Sequence, residues 1–259
     1  MKRNAIAVLS SLVSLLMLGS CSKFSNGEPV SEQRSLDHRF ETISMYHNVN
    51  VRLVHDSHPR VELTCPKNLI EKVTTEVMGD TLYIKNENDL NWLRSFDYSI
   101  DMTVYYDSLR EIDFASNGHL FCTDSLKGMW EMTIDTVEDI IDTLYTRNLL
   151  LRVKEGSGPI DLTIDCDVLK DYFINGTADI NLRGRANYAE HISRSYGPIH
   201  AEALNTNLVK VQSRSTNDIY VWARTELSAT LYSIGNVYYK GHPWIDEHCL
   251  GEGRVVKLE

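Results

Sequence analysis

Apolar and polar residues alternate over short stretches in the first part of the chain. Val49, Val51 and Leu53 are separated by Asn50 and Arg52. Val61, Leu63 and Cys65 are separated by Glu62 and Thr64. Leu82 and Ile84 flank Tyr83, and Ile100, Met102 and Val104 flank Asp101 and Thr103. This period of two marks strands with one buried face. Turn-forming clusters separate them: Asp56-Ser57-His58-Pro59, Gly79-Asp80 and Asn86-Glu87-Asn88-Asp89. Residues 36–115 are therefore expected to form an antiparallel β part. A single helical turn is expected within Pro66–Val73, where Pro66 could open it. No long amphipathic helical pattern follows residue 21.

From about residue 116 a repeat takes over. Aliphatic residues that open strands recur at Leu120, Ile140, Ile160, Ile180, Ile199, Ile219 and Val237, in steps of 20, 20, 20, 19, 20 and 18. Turn clusters precede the later anchors, among them Gly156-Ser157-Gly158-Pro159, Asn175-Gly176-Thr177 and Tyr196-Gly197-Pro198. A second apolar position lies six to eight residues before each of the last five anchors (Val153, Phe173, Ile192, Val211, Leu231). A third lies two residues after (Leu162, Leu182, Ala201, Val221, Tyr239). One 20-residue unit cannot bury such a face alone, but a stack of units can. The expected fold is all-β: a right-handed parallel β-helix, or β-solenoid, over 116–259, preceded by the antiparallel region. A β-sandwich with hairpins every ten residues is the alternative, and the recurring turn chemistry at a period of 20 disfavours it. The antiparallel part is expected to cover the first coil. The segment from Pro243-Trp244 to Val256 is expected to cover the last.

On stacked coils the outward positions of the anchor strands form columns about 4.8 Å apart per step. One column reads Asp161, Asn181, His200, Tyr220, Tyr238, and the next Thr163, Arg183, Glu202, Trp222, Lys240. Tyr220, Trp222 and Tyr238, with His200, make a candidate aromatic ligand-binding patch for sugar rings or a protein partner. Aromatic residues also favour β surfaces for packing reasons alone. The Asp161, Asn181, His200, Arg183 and Glu202 set invites comparison with polysaccharide-cleaving β-helices, which need paired titratable groups a few ångströms apart. However, the column offers at most one carboxylate per coil, and the coils carry no long insertions to wall a cleft. Arg183 and Glu202 are more simply an expected cross-strand ion pair. The expectation is a non-enzyme with no catalytic residues, no cofactor and no metal site. His47, His55 and His58 lie too loosely for metal ligation.

The first 20 residues stand outside the fold. Lys2 and Arg3 precede an apolar run from Ala5 to Leu18, and then come Gly19, Ser20 and Cys21. The pattern resembles a bacterial lipoprotein signal peptide (residues 1–20), in which the Cys21 thiol is acylated. The apolar run is short for a membrane span, which needs about 20 residues. Residues 21–35 are expected to form a tether. Attachment to a membrane through the lipid on Cys21 follows. Ser22 in place of Asp points to the outer membrane, with the periplasmic and external faces both open. The formal charge of −10 becomes −12 once Lys2 and Arg3 are removed, which argues against a nucleic-acid partner. Cys65, Cys122, Cys166 and Cys249 show no disulfide framework and are expected as isolated thiols.

The strand openings Phe40-Glu41-Thr42-Ile43 and Asp80-Thr81-Leu82-Tyr83-Ile84 carry a family resemblance. So does the closing run Gly235-Asn236-Val237-Tyr238-Tyr239-Lys240-Gly241-His242-Pro243 with Gly251-Glu252-Gly253. Over residues 36–258 the chain resembles the GIN-domain family of autotransporter-adhesin heads. The family's Gly-Ser-Gly turns are replaced at Ser195-Tyr196-Gly197 and Thr216-Asn217-Asp218, and Asp135–Asp142 departs furthest. The resemblance implies an adhesin or binding module for a glycan or protein. A ligand-free structural role in the envelope and, behind it, a polysaccharide-active enzyme are the alternatives.

Overall fold

The computed structural model describes residues 26–88, 98–137 and 140–258, with the backbone alone over 130–146. Among the described residues there is no α-helix, only a 3-10 turn at Ile70–Lys72, within the stretch expected to hold one helical turn. Everything else regular is strand, in one curled mixed sheet. The first part comprises β1 (Pro29–Ser35), β2 (Thr42–His47), β3 (Asn50–His55), β4 (Arg60–Pro66), β5 (Val73–Met78), β6 (Thr81–Asn86), β7 (Asp101–Tyr106), β8 (Glu111–Ser116) and β9 (Leu120–Cys122). It is followed by β10 (Leu126–Lys127), β11 (Met129–Val137) and β12 (Ile140–Gly156). The long strands β13 (Ile160–Phe173), β14 (Ile180–Ser193), β15 (Ile199–Ser213) and β16 (Ile219–Leu231) come next. The chain closes with β17 (Val237–Lys240), β18 (Trp244–Cys249) and β19 (Val255–Lys257).

The 20-residue period has a direct structural counterpart. Ile160, Ile180, Ile199, Ile219, Val237 and Val255 are successive parallel partners across β13 to β17 and β19. All but Val255 are buried, and Leu162, Leu182, Ala201 and Val221 line the same interior. The second leg of each long strand stacks likewise, with Val153, Phe173, Ser193, Ser213 and Leu231 in register. Here the expectation of Ile192 as an inward position is corrected. Ile192 pairs with Tyr172 and Gln212 and is half-buried, while its neighbours His191 and Ser193 face the core. The ladder runs at an offset of 20 residues on this leg, and alternation along β14 then turns Ile192 outward.

Turns between successive long strands sit directly on one another. At Gly176 φ is +121°, and a Cβ there would lie 2.4 Å from the carbonyl oxygen of Gly156 in the preceding turn. Only glycine combines that dihedral with that approach.

The first part departs from the expected antiparallel region. β2 pairs in parallel with β6 and β8, and β3 pairs in parallel with β7 and β9. Antiparallel pairing is confined to β1–β4, β4–β7 and β5–β6 in this part. Alternation reports a half-buried face and is the same for both strand directions, so the pattern could not distinguish them. Of residues 21–35, expected as a tether, Pro29–Ser35 is strand. Arg34 ties it down by donating to the carbonyls of Val73 and Ile70.

Ile140 does not open a coil. It pairs with Val137 across the β11–β12 hairpin, and Ile160 pairs directly with Leu120, skipping 40 residues. The terminal segment, expected to cover the last coil, lies on it as a further rung of strand. β18 and β19 extend the parallel ladder on β16 and β17, and Trp244, Leu250 and Val256 stay exposed. Cys249 and Val255 of this segment are half-buried and pack against the core.

Candidate functional site

The outward face of the ladder carries a continuous row of side chains. Because register neighbours on adjacent strands point the same way, Asp161, Asn181, His200, Tyr220 and Tyr238 form one column, as their spacing predicts. The column continues beyond Asp161 to Phe121, Arg52, Thr103 and Glu62 through β9, β3, β7 and β4. This extension was not legible in the sequence, because the β11–β12 hairpin separates Phe121 from Asp161 by twice the repeat.

At one end of the row three rings stack. The His200 and Tyr220 centroids are 4.9 Å apart and those of Tyr220 and Tyr238 5.1 Å, each pair within 13° of parallel. All three are half-exposed. Each ring fills the rung below the next, so the parallel ladder itself imposes the stacking. Burial against its neighbours, then Asp218, Tyr238 and Glu202, pushes the Tyr220 hydroxyl above its ordinary range, and it stays a hydrogen-bond donor. His200 lies 3.7 Å from both Asp179 (Nε2) and Glu202 (Nδ1).

Nearer the middle, Asp161 bonds to His119 Nε2 at 2.7 Å and faces Arg183 at 3.6 Å. The His119 ring lies 4.6 Å from that of Phe121. Beyond Phe121 a cavity of about 410 Å³ opens between Asn50, Arg52, Glu62, Asp101 and Thr103. The row thus alternates flat aromatic surface with hydrogen-bonding groups, a composition suited to holding a polar chain along the stack.

The second predicted column is broken. β15 bulges at Glu202–Leu204, so that Trp222 pairs with Asn205 rather than Glu202, while Arg183 pairs with Ala203. The expected Arg183–Glu202 ion pair is therefore replaced by Arg183–Asp161, and Glu202 faces His200. A bulge shifts every later outward residue by its extra length. Trp222 follows Tyr220 by two residues on β16 and faces Asn205 on β15, outside the three-ring stack. Cys21 lies outside the described residues. Among the described residues, no group of three or more His, Cys, Asp or Glu converges on a metal position. Cys65, Cys122, Cys166 and Cys249 are free thiols.

A family described as "Putative auto-transporter adhesin, head GIN domain" matches residues 39–243. The crystal structure of a "putative adhesin" from Bacteroides fragilis NCTC 9343 superposes with a TM-score of 0.75 at 20% identity, covering 89% of this chain and 97% of that one. A "putative lipid binding protein" from Parabacteroides distasonis ATCC 8503 gives 0.62 at 18% identity, over 90% and 98%. A "putative adhesin" from Parabacteroides merdae ATCC 43184 gives 0.57 at 17% identity, over 91% and 98%. At these identities the likeness is one of fold. No curated protein matches the chain.

Proposed function

The chain belongs to the GIN-domain family of auto-transporter adhesin heads, and from that premise we propose that it is a cell-envelope binding module that lays an elongated glycan or protein ligand along its outward row. The observation that carries this reading is the His200–Tyr220–Tyr238 stack. Three parallel, half-exposed rings offer a flat apolar strip that the core does not use, and such strips mark interaction surfaces. The in-line Asn181, Asp161 and Arg52 supply hydrogen bonds farther along.

The parallel offset of 20 residues through β13–β16 supports a β-solenoid as the scaffold, and the general handedness of parallel crossovers supports a right-handed one. Such a scaffold is rigid, so the row is preorganised and loses little entropy on binding. The Leu18-Gly19-Ser20-Cys21 run supports attachment to a membrane by acyl chains on Cys21, and Ser22 in place of Asp supports the outer membrane as that membrane. A Cys21→Ser protein that remained in the membrane fraction would remove the anchor from this picture.

The binding claim is tested with residues 22–259 on a panel of host and bacterial glycans and matrix proteins. Tyr220→Ala/Tyr238→Ala and Trp222→Ala variants are run alongside. Loss of binding in the tyrosine variant, with its fold intact, locates the site in the stack. A folded protein that binds nothing on the panel replaces the reading with a ligand-free structural role.

A further inference from the structure

A second groove lies where the long strands turn a corner. Along β13 the inward alternation changes phase: Cys166 and Leu169 are buried, with Asp167 and Val168 half-exposed between them. On the outside of this corner a groove of about 510 Å³ is lined almost wholly by charged and amide side chains. It is separate from the aromatic row. Asp165 stands four residues along β13 from Asp161, about 13 Å in an extended strand.

Its polar groups are built into a ladder. Asn187 donates to Asp167 at 2.9 Å, Asn207 donates to Asn187 at 3.2 Å, and Arg224 lies 3.4 Å from the Asn207 amide oxygen. The carboxylates are already satisfied. Arg185 forks onto Asp165 at 2.9 and 3.1 Å, and Arg147 reaches Asp165 and Asp167 at 3.4 and 3.5 Å. Arg224 differs, because among the described residues it has no carboxylate partner and it is exposed. Three arginines against two aspartates leave the groove with a surplus positive charge, on a chain of net −10.

We propose that this groove is a separate binding site for a carboxylated saccharide. The Arg224 guanidinium receives the carboxylate, and the amides of Asn187 and Asn207 read the ring hydroxyls. The chemistry matches on three counts. A guanidinium without a carboxylate partner pairs with a carboxylate in a planar, two-point geometry. Each asparagine amide has two N–H donors, and the ladder uses one of them, leaving the other for a hydroxyl. Trp222 is the half-exposed register partner of the groove residue Asn205, which sets its ring on the rung beside the groove as a face for a sugar ring. An acidic peptide would bring the carboxylate without the ring hydroxyls that the asparagine amides are placed to bond.

The test is calorimetric titration of residues 22–259 with trigalacturonate and 3′-sialyllactose against their neutral counterparts, trigalactose and lactose. At least one acidic sugar should bind about tenfold or more tighter than its neutral partner, as a charge-assisted pair requires. Arg224→Gln should erase that preference without shifting thermal unfolding. Arg224→Lys should restore only part of it, and Tyr220→Ala/Tyr238→Ala should leave it intact. Equal affinity for acidic and neutral sugars, no binding of either acidic sugar at millimolar concentration, or an Arg224→Gln protein that still discriminates would each overturn the proposal. So would an equally tight complex with a glutamate-rich peptide of the same charge. Loss of the acidic sugar in the tyrosine variant would instead assign it to the aromatic row.

Discussion

Inside the stack, the carboxylate of Asp171 faces the imidazole of His191 at 3.4 Å, and both are essentially inaccessible to solvent. They are register partners on β13 and β14, flanked in the same interior column by Leu151 and Val211. One Asp171 oxygen and the nearby Ser193 hydroxyl have no hydrogen-bond partner among the described residues. A polar pair has thus been placed where the neighbouring strands put aliphatic side chains.

Removing one member leaves the other stranded in an apolar core. His191→Ala should destabilise the fold by about 3 kcal/mol, whereas the double replacement Asp171→Leu/His191→Leu should be at least as stable as the parent. Urea unfolding of the three proteins checks this. A His191→Ala protein as stable as the parent would show that the pair is solvated in solution.

The stacked rings should be energetically coupled. A double-mutant cycle with Tyr220→Leu and Tyr238→Leu should return about 1 kcal/mol of interaction energy beyond the single changes. A coupling below roughly 0.3 kcal/mol would mean that the rings share a rung without holding each other.

Thiol reactivity should divide the cysteines. Burial pushes the Cys166 thiol from its ordinary 9.0 up to about 12 and Cys65 up to about 11. At pH 8 only about one Cys166 in ten thousand would be thiolate, the reactive form. Native alkylation of residues 22–259 read by mass spectrometry should therefore label half-buried Cys249 long before Cys65 or Cys166. The folded state holds these protons more tightly than the unfolded chain. Their contribution to stability is complete below pH 9 and is lost as pH rises from 9 toward 12. Rapid native labelling of Cys166 at pH 8 would contradict its place in the core.

Gly176→Ala should lower stability by on the order of 2 kcal/mol or more. The new methyl group would meet the Gly156 carbonyl oxygen and would have to adopt φ near +121°. Gly79 also has positive φ, at +65°, but a Cβ there meets nothing within 4 Å. Gly79→Ala should cost measurably less in the same thermal melt.

Some of the architecture was legible residue by residue. Apolar anchors at Ile160, Ile180, Ile199, Ile219 and Val237 became consecutive rungs, and the column from Asp161 to Tyr238 was placed correctly. Other features left no mark in the pattern. Ile140 has the spacing and character of an anchor, yet its backbone turns back on Val137. The run Glu202-Ala203-Leu204 reads as ordinary strand, yet it bulges and carries Trp222 to the rung of Asn205. Ile192 reads as an inward position, yet its neighbours His191 and Ser193 hold the core positions.

The chain alone determined the period, the half-buried strands and the turns that demand glycine, because these are local: alternation, φ and side-chain size act within a few residues. Strand direction, the 40-residue jump from Leu120 to Ile160, the bulge and the burial of Asp171 against His191 were decided only in three dimensions. They depend on which backbone edge each strand meets. Once the hydrogen-bonded ladder sets that register, every side chain along the strand must face in or out with it, whatever its own polarity prefers.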